Sequence, residues 1–108
     1  MILMNNLEKT LEISELFIIY KNLLTEKQTK YLELYIDEDW SLQEIADEFN
    51  VSKAAIHDSI KKTILSLNDL ETKLGLNQKE KHINQIMLKY ENSQNSEVKN
   101  LIQELKGE

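Results

Sequence analysis

Ser52, Lys53, Ala54, His57, Asp58, Lys61 and Lys62 fall within one short stretch of a 108-residue chain. Together they offer what a nucleic acid needs: ammonium groups for phosphates, and polar side chains for base edges. Ser52 and the backbone amides after it are placed to hold a phosphate if a helix starts there. No group of residues suggests catalysis. The chain has no cysteine, which excludes a thiolate nucleophile, thiolate zinc ligands and a disulfide framework. His57 and His82 are isolated from each other and from any Ser or Asp partner motif, so neither a zinc site nor a nucleophilic triad is expected. With glycine only at positions 75 and 107, no phosphate-cradling loop can form. A non-enzymatic protein without cofactor or metal is the expectation.

Asp37, Glu38, Asp39 and Trp40 form the second group worth weighing. The acids are consecutive and lack the glycine and terminal glutamate of a calcium loop, so they read as a helix boundary or as a surface for a basic protein partner. Asp39 also suits the positive end of a following helix. Trp40 either staples against that helix or anchors an interface.

Charge is divided unevenly along the chain. The net charge is −6, and residues 1–50 hold four lysines against eleven acids, whereas residues 51–108 hold nine lysines against eight acids. Overall acidity opposes general attraction to nucleic acid, and the absence of arginine removes the best bidentate reader of guanine and phosphate.

The elements that must position these residues are helical. Proline is absent, and little else in the chain would break a helix or close a tight hairpin. An all-α, single helical domain over residues 1–108 is expected, with a helix-turn-helix core at about 25–74, no wing, and a C-terminal helical extension at about 77–106. Between Leu7 and Leu23, Ile13, Phe17, Tyr20 and Leu24 form one apolar row, and Leu16, Ile19 and Leu23 form a second beside it. Thr25 and Gln28, then Ser41 and Glu44, have capping-box spacing and open two helices. Ser52 caps a long fourth helix whose Ile56, Ile60, Ile64, Leu67, Leu70 and Leu74 recur every three or four residues until Gly75 stops it. At the standard rise it spans about 33 Å, so its far end must be covered. Helices around Ile83–Tyr90 and Val98–Leu105, joined through Asn92–Ser96, are available to do so.

Ser41 to Lys62, reading SLQEIADEFNVSKAAIHDSIKK, has the spacing of a helix-turn-helix. Ala46 permits close helix crossing, and Val51, Ile56 and Ile60 fill the angle between the helices. In such a motif the start of the second helix enters the major groove. The stretch resembles region four of bacterial sigma factors. Taken with LLTEKQTKYLELY before it and ETKLGL after it, the chain more closely resembles the YlxM family of small bacterial helix-turn-helix proteins. That resemblance implies an all-helical fold, a homodimer and a regulatory role in the signal recognition particle pathway, with the particle's GTPase or its RNA as partner. A sequence-specific DNA-binding transcriptional regulator and a protein-interaction module without nucleic-acid binding stand as alternatives. Dimer contacts are expected on the first and the C-terminal helices. The opening Met1-Ile2-Leu3-Met4 lacks the basic region and apolar length of a signal peptide, and no apolar run approaches a membrane span, so a cytoplasmic location without membrane insertion is expected.

Overall fold

A computed structural model describes residues 7–107; the opening Met1–Met4 lies outside the described residues. Six α-helices follow in order: α1 Leu7–Tyr20, α2 Glu26–Ile36, α3 Leu42–Phe49, α4 Lys53–Leu74, α5 Leu76–Tyr90 and α6 Ser96–Lys106. A 3-10 turn at Lys21–Leu23 links α1 to α2, and no strand occurs among the described residues. The chain divides at Gly75 into two compact units.

Helix starts in the first unit are fixed locally. Thr25 Oγ1 accepts from Gln28 N at 3.1 Å while Gln28 Oε1 accepts from Thr25 N at 3.0 Å. Ser41 and Glu44 repeat the exchange at 3.0 Å in both directions. Each reciprocal pair satisfies two backbone donors that a helix start otherwise leaves bare. Gly75 ends α4 in the left-handed region at φ 61°, where a residue with a Cβ is strained.

The core forms where α1, α2 and α3 pack on α4. Ile56, Ile60, Thr63 and Leu67 lie on one face of α4 and are buried against Ile13, Leu16, Phe17 and Tyr20 of α1, Leu32 and Tyr35 of α2, and Ile45 and Ala46 of α3. Each fully buried Ile or Leu contributes about 1.5–3 kcal/mol. Thr63 is the polar member of that face, and its hydroxyl donates to the Ser59 carbonyl at 2.9 Å, so this hydroxyl is not stranded. The far end of α4 is covered by α1, and the Tyr20 hydroxyl donates to Glu71 Oε1 at 2.6 Å.

Three apolar positions of the first unit expected to face inward lie on the surface, Leu74 at the end of α4 being 52% exposed. Leu23 is 63% exposed, because α1 ends at Tyr20 and the tighter 3-10 turn rotates the next residues off the inward face. Val51 is 37% exposed, since left-handed Asn50 reverses the chain and leaves Val51 on the outside of the turn. The second unit is the hairpin of α5 and α6. Asn95 caps α6 by accepting from Glu97 N and Val98 N, and Met87, Tyr90, Val98 and Ile102 line a small apolar cavity between the two helices.

Candidate nucleic-acid interface

The helix-turn-helix reversal lies where α3 gives way to α4. Asn50, at φ 55°, is the C-cap of α3, and the amides of Asn50 and Val51 both donate to the Ala46 carbonyl. This left-handed residue is what folds a tight reversal between the two helices. Ser52 then opens α4, its hydroxyl oxygen accepting from Ala55 N at 3.0 Å. That amide is therefore taken, and a phosphate at this end would meet the amides of Lys53 and Ala54 and the Ser52 hydroxyl hydrogen.

With Ile56, Ile60 and Leu67 inward, Ala54, Asp58, Lys61 and Leu65 form the outermost ridge of α4, spaced by four, three and four residues. Lys53 flanks the ridge on one side and Lys62 on the other. All of these residues except Leu65 were readable as candidates from their place after the turn. Leu65, at 59% exposure, was not, because the same residue type at neighbouring Leu67 is fully buried and composition does not separate them. On such a ridge, Ala54 and Leu65 offer apolar contact to a thymine methyl, and Asp58 can accept from a cytosine amino group.

The cations are not equivalent. Lys62 pairs with Asp58 at 3.0 Å across one helical turn, both side chains remaining well exposed. Lys53 and Lys61 make no ion pair among the described residues. His57 sits half-buried at the edge of the ridge, with Nε2 buried and without a hydrogen-bond partner among the described residues. That nitrogen is thus turned from solvent, and a base edge cannot reach it without a change of rotamer.

The acidic approach is placed differently from the ridge. Asp37, Glu38 and Asp39 are exposed between α2 and α3, with Asp39 in the left-handed region at φ 55°. Trp40 is half-buried on the core, and its amide donates to the Leu34 carbonyl at 2.9 Å. On α3, Glu44 is engaged in its capping box and Asp47 accepts from the Gln43 side-chain amide at 2.8 Å. No cluster of three or more His, Asp or Glu able to hold a metal ion occurs among the described residues, and no helix among them is long and apolar enough to cross a membrane.

Comparison with known proteins agrees with this architecture. Residues 7–107 match the profile of the family UPF0122, helix-turn-helix proteins that are YlxM / p13 like. The chain is 60% identical over 102 residues to a UPF0122 protein of Mycoplasma mycoides, an alignment covering 94% of this chain and 89% of the relative. It is 53% identical over 74 residues to a UPF0122 protein of Staphylococcus aureus, covering 68% and 67% respectively, and 53% identical over 70 residues to one of Halalkalibacterium halodurans, covering 65% and 64%. An all-helical fold, a capped turn between α3 and α4, and a family match over nearly the whole chain lead to one assignment: this chain belongs to the YlxM / p13-like helix-turn-helix family.

Proposed function

We propose that the protein is a non-enzymatic regulator that works in the cytoplasm as a homodimer and touches nucleic acid through the start of α4. The observation that carries this reading is the outward ridge of α4, where Ala54 and Lys61, flanked by Lys53, stand exposed after a capped helix-turn-helix reversal. Leu11 and Ile18 support the homodimer, being 55% and 78% exposed on the side of α1 opposite its buried residues. The setting in the signal recognition particle pathway, with the particle's GTPase or RNA as partner, rests on the resemblance carried by LLTEKQTKYLELY and DEDWSLQEIADEFNVSKAAIHDSIKKT.

The testing experiment is crosslinked affinity capture from the native cell, with bound nucleic acid sequenced and bound proteins identified from the same sample. The expected result is nucleic acid that is lost from the Lys61→Ala/Lys62→Ala variant, together with the particle's GTPase or RNA. In vitro, the logarithm of affinity should fall with the logarithm of salt, and the double variant should flatten that slope by about one unit for each lost phosphate contact. Discrete DNA sites without the particle would favour an ordinary transcriptional regulator. A salt-insensitive affinity, or capture unchanged by the double variant, would remove α4 from the interface and leave a protein-interaction module.

A further inference from the structure

Three of the four lysines in the acidic first half of the chain line a single cleft. Lys21, Lys27 and Lys30 come from the 3-10 turn and from α2, and they surround a space of about 760 Å3 whose apolar wall is Leu24, Tyr31 and Phe49. Tyr31 and Phe49 meet edge to face with ring centroids 5.0 Å apart; Tyr31 is buried and holds the half-buried Phe49 ring in place, so Phe49 and Leu24 supply the open apolar surface of the wall. The volume lies in the range of clefts that accept a ligand.

Charge at the rim is positive after local pairing. Lys21 is drawn to Glu33 at 3.5 Å and lies over the Phe17 ring. Lys27 lies 5.9 Å from the Tyr31 ring centroid, and neither Lys27 nor Lys30 makes an ion pair among the described residues. Glu26, the remaining acid at the cleft, occupies the first turn of α2, where a carboxylate is favoured by the helix dipole. An apolar wall under unpaired ammonium groups fits a ligand with an apolar group and carboxylates beside it.

We propose that this cleft docks a short acidic segment of a protein partner, one aromatic or aliphatic side chain entering against Leu24 and Phe49 while flanking carboxylates meet Lys27 and Lys30. A short segment suits the cleft better than a nucleic-acid strand. A strand continuing past the rim would run into the remaining charge of this half of the chain, where eleven acids outweigh the lysines. None of the cleft residues belongs to the α4 ridge, so this proposal and the nucleic-acid reading stand or fall separately.

The test is selection of displayed random peptides of about twelve residues on the full-length protein, followed by fluorescence anisotropy with the selected peptides. The expected peptides carry two or more acidic residues around a Phe, Trp, Leu or Ile. Lys27→Glu/Lys30→Glu should weaken their binding about tenfold or more, Lys27→Gln/Lys30→Gln by a smaller factor, and Lys61→Ala/Lys62→Ala not at all. The substituted lysines are exposed, and circular dichroism of each variant verifies that folding is intact. The proposal is overturned if no peptides are enriched, if the enriched peptides are neutral or basic, if charge reversal leaves binding unchanged, or if an oligothymidylate of about sixteen nucleotides displaces the peptide.

Discussion

Asp58 stands on the outer ridge of α4 and holds the Lys62 ammonium at 3.0 Å. It thus subtracts from the α4 ridge twice, as a negative charge facing an approaching phosphate and as the partner of a cation that would meet it. Removing that charge without changing the side chain's shape should strengthen nucleic-acid binding. Asp58→Asn is expected to tighten binding severalfold at low salt and to steepen the salt dependence by about one unit, measured by titration at several salt concentrations. Unchanged binding would place Asp58 and Lys62 outside the contact. Tyr35 supplies a second prediction. It is buried on α2, and desolvation pushes its phenol above the ordinary tyrosine value of about 10. Below that value both folded and unfolded chains hold the proton, so the group adds no pH dependence. As pH rises through it the unfolded chain ionises first, and stability falls towards the raised folded value. Denaturant midpoints measured across about pH 9 to 11 should therefore decline less steeply for Tyr35→Phe than for the natural chain.

At the scale of the element, Asn50 and the capping residues decide where one helix stops and the next begins. Asn50 holds φ 55° at the end of α3, a conformation that glycine adopts freely and alanine does not. Asn50→Ala should cost about 1 kcal/mol and Asn50→Gly close to nothing, as read from denaturant unfolding; equal losses would show that the Asn50 side chain, rather than its backbone angle, matters. The helix starts at Thr25, Ser41 and Ser52 and the stop at Gly75 were legible in the chain because each depends on residues three or four positions apart. The positions of the seven candidate residues from Ser52 to Lys62, at the cap and along the first turns of α4, follow from their order after the turn, but the inward turn of the His57 Nε2 does not. Leu23 and Val51 were not legible: a backbone change at Lys21 and at Asn50 alters the helical phase that their apolar character assumes. The cleft lined by Lys21, Lys27 and Lys30 left no trace either, since these residues straddle a helix boundary and share no period, and only tertiary packing sets Phe49 of α3 beside them.

For the whole molecule, association is the property that α1 bears on. Its inward face is spent on the core through Ile13, Leu16, Phe17 and Tyr20, yet Leu11 and Ile18 lie bare on the opposite side. Sedimentation equilibrium should show a monomer–dimer equilibrium that shifts with concentration, and Ile18→Lys should shift it to monomer while the helical spectrum persists. A natural chain that stays monomeric at every concentration would refute this.

The reciprocal caps at Thr25–Gln28 and Ser41–Glu44 also bear on the speed and order of folding. Each closes over three residues, so α2 and α3 have their starts specified before any distant part of the chain arrives. An isolated helix of such length is still marginal in water and persists only once its apolar face is covered. For α2 and α3 that cover is α4, whereas α1 joins the far end of α4 through the Tyr20–Glu71 hydrogen bond, which spans 51 positions. That is the longest span of any hydrogen bond described in the first unit, and closing it carries a loop-entropy cost that the local caps do not. The turn that gives the motif its name is therefore specified by residues close in sequence, whereas the docking of α1 on α4 depends on residues half the chain apart.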